Sequence, residues 1–411
     1  MSLFLSLVPS DEAWARLCSY LEEGPHGSET VRLTEAIGRR LAHDVHSPVD
    51  LPGFIRSTMD GFAVRAADTF GASDALPALL SLAGEVPMGR AAEGTLPRHS
   101  CMRVATGAML PEGADAVVMM EHTEMVDDAT VAVLRPVAPG ENVVAPDEDV
   151  ASGGLLLPKG RLLREHDIAA LGAVGMCEVE VSARPRVGII STGDELVDVG
   201  EQPAPGQVRD MNSYSLYAAA KAAGARPKLY GIVRDNFEIL LAALRGALAE
   251  SDMLIVSGGS SIGSRDYTRE AIEALGEPGV LVHGIAVKPG KPTIIAVAGG
   301  KPVFGLPGHP ASCLNIFRLL VEPAIARWMG WSGPVGRRVN ARIAANVASA
   351  AGREDFVAVK IVERDGQLWA EPLFSKSALI SGLVSADGVA RIPSESEGVL
   401  KGDTVTVHLW R

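Results

Sequence analysis

DMLIVSGGSSIGSRDYTREAIEALG, residues 252–276, passes from an apolar run through a Gly/Ser loop into a helix-like segment ending at a glycine. Strand, small-residue loop and helix in that order make half of a βαβ unit. The same rhythm continues on both sides. RVGIIS (186–191) reads as a buried strand, followed by the loop TGDELVDVGEQPAPGQVRDM and a helix over SYSLYAAAKAAG capped by Asn212 or Ser213. PKLYGIV (227–233) is the next strand, RDN (234–236) its loop, and FEILLAALRGALAE an amphipathic helix. Downstream come strand VLVHGIAV, the loop KPGKP (288–292), two short strands and a long helix from Pro310. Such alternation predicts right-handed crossovers and a mainly parallel sheet over residues 183–330.

The flanks differ. Residues 10–45 read as helical, with SDEAWARLCSYLEEG starting at Ser10 and TEAIGRRLAHDV at Thr34. From LPGFIRSTMDGFAV (51–64) to about Val137, short alternating runs with many Gly and Pro predict strands. HDIAALGAVG (166–175) returns to helix, so the β-rich stretch 51–139 is read as inserted into an N-terminal mixed domain made of 1–50 and 140–182. The tail, 331–411, alternates again, with an Asp365-Gly366 turn between FVAVKIVE and QLWAEPLF marking a hairpin.

A chain of 411 residues exceeds one hydrophobic core. Its net charge of −12 argues against a nucleic-acid surface. Cys18, Cys101, Cys177 and Cys313 are scattered without a CxxC, which predicts neither a zinc site nor a disulfide framework. No run of eighteen apolar residues predicts a membrane span, and MSLFLSLV lacks a basic flank and a cleavage site. A cytoplasmic protein is expected.

In an open α/β sheet, ligands sit beyond the carboxyl ends of the strands. Three loops there carry STGDEL (191–196), RDN (234–236) and SGGSSIGSRD (257–266). Their small residues open backbone N–H groups to an anion, so Thr192, Gly193, Asp194, Ser257, Gly258, Gly259 and Ser260 are candidate substrate contacts. Carboxylates would repel a bare phosphate, and a divalent cation resolves the conflict, since Mg²⁺ takes one or two carboxylates plus phosphate oxygens. Glu195, Asp235 and Asp266 are the candidates. Asp235 and Asp266 read equally as helix caps, and Asp194 and Glu195 as a solvated loop. KPGKP supplies positive charge through Lys288 and Lys291, bent by Pro289 and Gly290; a surface turn is the competing reading. It is not a Walker A loop, because Pro292 stands at the Ser/Thr position. GLPGHPAS (305–312) is a second Gly/Pro loop before a helix, with Pro307 and Gly308 as candidate contacts and His309 as a plain loop residue. Neither G-x-S-x-G nor a GxGxxG after a strand occurs, so phosphate chemistry is favoured over acyl or hydride transfer.

STGDEL, the Gly-rich loop with DY, KPGKP and GLPGHPAS, in this order, resemble the molybdopterin molybdenumtransferases, the MoeA family that includes the E domain of gephyrin. The resemblance spans nearly the whole chain. VRLTEAIGRRLAHDV, LPGFIRSTMDGFAV and RVATGAMLPEGADAVVMMEHT look like the family's N-terminal half; GREDFVAVKI and the S-x-L-x-x-x-L-x-x-A-D-G pattern from Ser377 look like its C-terminal domain. It implies a helical/mixed N-terminal domain with an inserted β domain, a three-layer α/β domain and a β-barrel-like tail. It further implies release of AMP from adenylylated molybdopterin and insertion of molybdate, with Mg²⁺ or another divalent cation. By resemblance, Asp60, Thr106, Glu195, Asp235, Asp266 and Lys288 fall on functional positions, and Lys291, Ser312, Arg353 and Ser377 line a molybdate pocket. The family is dimeric with a shared cleft, and molybdopterin adenylyltransferase and apo-molybdoenzymes are the implied partners. Four places depart from the pattern: Val144 stands at an Arg position, Ser264 where an acidic residue is common, His309 in GHPAS where GNPVS is usual, and FVAV (356–359) lacks the second Arg often seen in the tail motif. The competing readings are a molybdopterin adenylyltransferase, which lacks the flanking domains, and a non-catalytic scaffold.

Overall fold

A computed structural model describes residues 7–21, 26–258, 267–331, 333–374 and 376–410. The chain forms two compact units, one of Met1–Thr30, Gly38–Ala42 and Glu180–Arg411, the other of Val31–Ile37 and His43–Val179.

In the first unit, strands β1 (Arg186–Thr192), β2 (Arg226–Val233), β3 (Met253–Ser257), β4 (Pro278–His283), β5 (Ile294–Ala298) and β6 (Lys301–Leu306) form one sheet in the order β2-β1-β3-β6-β5-β4. β2, β1, β3 and β6 pair in parallel, while β5 pairs antiparallel with both β6 and β4. β3 and β5 are buried at every position, as expected for strands covered on both faces. The covers are helices α1 (Ser10–Cys18), α2 (Met211–Ala222) and α5 (Pro310–Ile316) on one face, α3 (Phe237–Glu250) and α4 (Tyr267–Glu273) on the other. Strand alternation divides the side chains between the layers: Ile189 and Ile255 pack with Leu17, Leu216 and Ile316, while Ile190 and Val256 pack with Leu240, Leu244 and Ile272. The result is the expected three-layer α/β domain.

Strands β7 (Arg337–Ile343), β8 (Glu354–Arg364), β9 (Gln367–Pro372), β10 (Gly388–Ile392) and β11 (Thr404–Leu409) pair around a closed ring, β8-β9-β7-β11-β10-β8. This barrel is filled by Ile343, Val359, Ala370, Ala390 and Val407. Asp365 and Gly366 both take positive φ, +51° and +72°, between the paired Arg364 and Gln367. Positive φ at both central positions is what a type I′ two-residue hairpin turn requires. A short strand, Val287–Lys288, leaves the α/β domain and pairs in parallel with the start of β8, opposite Glu354 and Asp355.

The second unit holds a six-stranded sheet in the spatial order Ala116–Met119, Gly61–Val64, Ser100–Val104, Ala78–Glu85, Thr130–Val133, Thr123–Asp127. Phe62, Val64, Leu80, Cys101, Val118 and Val131 form its core. Helix Glu165–Ala173 occupies the expected stretch.

Three local expectations fail. The helix read from Thr34 is a single turn, Leu33–Ala36, because Gly38 takes φ +71° and turns the chain away. Ser28–Arg32, also read as helical, is a strand with alternating exposure. The cap of α2 is Asp210, whose carboxylate accepts from the Ser213 backbone N–H at 3.1 Å and its hydroxyl at 2.5 Å. Asn212 and Ser213 lie inside the helix.

Candidate functional site

At the carboxyl end of β1, Thr192 is 1% exposed, and its hydroxyl donates to Asp235 Oδ1 at 2.7 Å. Asp235 is not the cap of α3: Asn236 takes that role, accepting from Ile239 N at 3.1 Å. Its carboxylate is instead committed to the rim of the sheet. Glu195 folds back over Gly193, where a Cβ would lie 2.8 Å from Glu195 Oε1. Asp194 accepts from the Asp235 backbone N–H at 3.4 Å and stands 3.9 Å from Arg234. At the end of β3, Gly258 has φ +102°, and a Cβ there would lie 2.1 Å from the Thr192 carbonyl oxygen. Only glycine lets the two strand ends converge so closely.

A cleft of about 380 Å³ opens at this rim, lined among others by Thr192, Glu195, Ser257, Gly258, Pro307 and Gly308. Asn212, absent from the sequence-derived candidates, braces it: Nδ2 donates to Ser257 Oγ at 2.9 Å and to Gly308 O at 2.8 Å. An asparagine within a first helical turn reads only as a cap, and pairing with a strand end and a loop, 45 and 96 residues away, leaves no local signal. Gly259, Ser260, Ser264 and Asp266 lie outside the described residues.

A second cleft, about 670 Å³, shares Pro292 with the first. Lys288, Pro289, Gly290 and Lys291 line it from the KPGKP loop, Ser312 from α5, and Arg353, Asp355, Lys376 and Ser377 from the barrel domain. The loop is pinned from beneath. Asn315 Nδ2 donates to Pro289 O at 2.8 Å, and Thr293 Oγ1 to Gly290 O at 2.7 Å. Asp355 is 4% exposed; Arg353 Nε donates to it at 2.9 Å, and Lys288 Nζ stands 3.7 Å away. Lys288, Lys291, Arg353 and Lys376 against the single carboxylate of Asp355 leave this cleft cationic in a protein of net charge −12. Such a wall, with the hydroxyls of Ser312 and Ser377, suits a doubly charged oxyanion. Lys376 and Asp355 are further residues the sequence did not single out.

In the second unit, Asp60 Oδ1 accepts from the Thr106 backbone N–H at 2.7 Å and from its hydroxyl at 2.9 Å. The N–H, then the hydroxyl, hold the Asp60 carboxyl below its usual range. Gly107 takes φ +87° in the turn beside Thr106, and Asp60 and Thr106 form a specific pair across 46 residues. Val144 stands opposite Arg56 in a short antiparallel pairing.

Among the described residues, no group of three or more His, Cys, Asp or Glu is arranged to hold a metal. Glu195 lines the first cleft, while Asp235, on the adjacent loop, accepts from Thr192 and is not among the cleft's lining residues; both are hard oxygen donors of the kind Mg²⁺ takes. Cys313, beneath Ser257, is fully buried, and burial pushes its thiol up to about 12, so it is no nucleophile.

Three family models match the chain in order: the MoeA N-terminal region (domains I and II) over residues 8–175, a probable molybdopterin binding domain over 188–327, and the MoeA C-terminal region (domain IV) over 340–410. A putative molybdopterin biosynthesis protein of Methanocaldococcus jannaschii is 37% identical, with both chains covered in full. A molybdopterin molybdenumtransferase of Bacillus subtilis is 34% identical over 98% of this chain and 94% of its own. The crystal structure of a molybdopterin biosynthesis MoeA protein from Pyrococcus horikosii superposes with a TM-score of 0.82 at 40% identity, covering 98% of this chain and 99% of the other.

Proposed function

This chain belongs to the MoeA family, and we propose that it is a molybdopterin molybdenumtransferase, which inserts molybdate into adenylylated molybdopterin and releases AMP. The observation that carries this reading is the adjacency of the two clefts, one rimmed by carboxylates and small residues, the other cationic. A single-domain adenylyltransferase would account for residues 188–327 alone and leave the matched flanks without a role.

In this reading, Thr192, Ser257, Gly258, Pro307 and Gly308 hold the pterin phosphate and nucleotide end. A divalent cation, Mg²⁺ in the simplest case, would be held by Glu195 and Asp235, with Asp266 as the third ligand the sequence offers, and would offset the charge of the phosphoanhydride. Lys288, Lys291 and Arg353, with Ser312 and Ser377, hold molybdate by charge-assisted hydrogen bonds until the dithiolene accepts it. Asp355 holds Arg353 by a hydrogen bond at 2.9 Å and stands 3.7 Å from Lys288, so part of the cationic wall is set before the anion arrives.

We further propose a cytoplasmic homodimer with a shared active cleft, to which Asp60 and Thr106 contribute. It would take substrate from a molybdopterin adenylyltransferase and deliver cofactor to apo-molybdoenzymes. No helix among the described residues is long and apolar enough to cross a membrane.

The test is reconstitution of an apo-molybdoenzyme with the purified chain, adenylylated molybdopterin, molybdate and Mg²⁺. AMP release that depends on molybdate, together with restored enzyme, is the expected result. Absence of both refutes the assignment.

A further inference from the structure

His309 lines the first cleft and Ser377 the second, and they meet: His309 Nδ1 lies 3.0 Å from Ser377 Oγ. A second tie joins the same loops, from Ala311 N to Ser377 O at 3.2 Å. The backbone tie fixes where Ser377 stands; the histidine decides what its hydroxyl can do. A serine O–H has one proton. If that proton points at the imidazole, only lone pairs face the cationic cleft, and an anion there is repelled. If the imidazole donates from Nδ1, the serine proton is free to face the anion.

We propose that His309 is a positioning residue for oxyanion binding, its Nδ1–H donating to Ser377 Oγ and turning the serine O–H into the second cleft. An anion in that cleft selects this arrangement, and the side chain that arranges it borders the neighbouring cleft. The inference rests on the reading of Ser377 as an oxyanion ligand.

The test uses the full chain with molybdate as the probe. Equilibrium molybdate binding by calorimetry and the molybdate concentration for half-maximal AMP release are measured for the parent, Ser377→Ala, His309→Ala, His309→Asn and the double alanine variant. His309→Ala should weaken molybdate binding about three- to tenfold, the worth of one neutral hydrogen bond, with the maximal rate of AMP release falling less. Asparagine places an amide N–H where Nδ1–H stands, so His309→Asn should restore binding to within about twofold of the parent. The double variant should bind no worse than Ser377→Ala alone, because the histidine acts through the serine. Parent-like binding by His309→Ala beside weakened Ser377→Ala overturns the inference and leaves the cleft reading intact. Additive losses in the double variant, or no rescue by asparagine, also overturn it. Parent-like binding by Ser377→Ala refutes the reading of Ser377 itself, and the inference with it.

Discussion

Replacing Gly258 by alanine tests whether the substrate rim depends on backbone convergence. The new Cβ would lie 2.1 Å from the Thr192 carbonyl oxygen and 3.2 Å from its carbon, with no flexible side chain able to yield. One of two strand ends must therefore move by about 1 Å, in a sheet where Ser191 and Ser257 are register partners. A positive φ of +102° adds strain of about 1–3 kcal/mol for any residue with a Cβ. Together the terms give a loss of about 2–5 kcal/mol, a large share of a domain's net stability of about 5–15 kcal/mol. Any retained fold would have Thr192 displaced from Asp235 and the cleft narrowed. Urea unfolding by circular dichroism reads the first effect as a lower midpoint at unchanged slope; AMP release from adenylylated molybdopterin reads the second as a loss of at least about tenfold. A variant with the parent's midpoint and the parent's turnover would show that the loop carries no such constraint, and the geometric argument would fall.

Lys291→Ala removes a charge-assisted contact, so the molybdate concentration for half-maximal cofactor formation should rise about ten- to a hundredfold, with maximal AMP release less affected; identical half-saturation would exclude Lys291 as a ligand. Asp60→Asn should lower AMP release by about tenfold or more while leaving the melting temperature unchanged, since the pair with Thr106 is exposed; undiminished release assigns the pair to turn formation. Burial pushes the Asp252 carboxyl up, but hydrogen bonds from the Arg186 side chain at 2.7 Å and its backbone N–H at 2.8 Å outweigh it and hold the group below its usual range. A lowered folded-state pKa contributes stability that is present above the unfolded value of about 4 and lost as pH falls through the folded one. Asp252→Asn should therefore cost about 1 kcal/mol at neutral pH, after allowance for solvent screening, and flatten the acid limb of the stability curve; an unchanged acid limb would assign the pH dependence elsewhere.

Sequence period and turn chemistry carried the α/β domain because its signals are local. The apolar run of residues 253–256 needs no partner to declare itself a buried strand, and Asp365 with Gly366 specifies its own turn. The helix read from Thr34 failed for a reason also visible locally, a glycine four residues on that takes positive φ. The clefts were legible only where charge or glycine stood out. Lys288 and Lys291 were conspicuous in a Pro/Gly loop; Lys376 looked like any surface lysine until the barrel brought it to the same wall. Asp355 joins that wall through Arg353, which donates to it at 2.9 Å, and through Lys288, distant in sequence and 3.7 Å away. Asn212 illustrates the same limit from the other side. Its helical position is ordinary, and its value comes from the two loops it joins.

The pairing of Val287–Lys288 with β8 has a bearing on how the cationic cleft fails. Glu354 N donates to Ala286 O at 2.9 Å, so the entry to the KPGKP loop is hydrogen-bonded into the C-terminal barrel rather than only into the sheet it leaves. Loops over substrate sites commonly open on their own, ahead of global unfolding. This one is moored at its entrance to a closed ring, which has no fraying edge of its own. If the mooring holds, amide exchange at Glu354, whose N–H is taken up by Ala286 O, should be as slow as exchange within the barrel strands. The lysines would keep their places through excursions elsewhere in the α/β domain and lose them when the barrel itself opens.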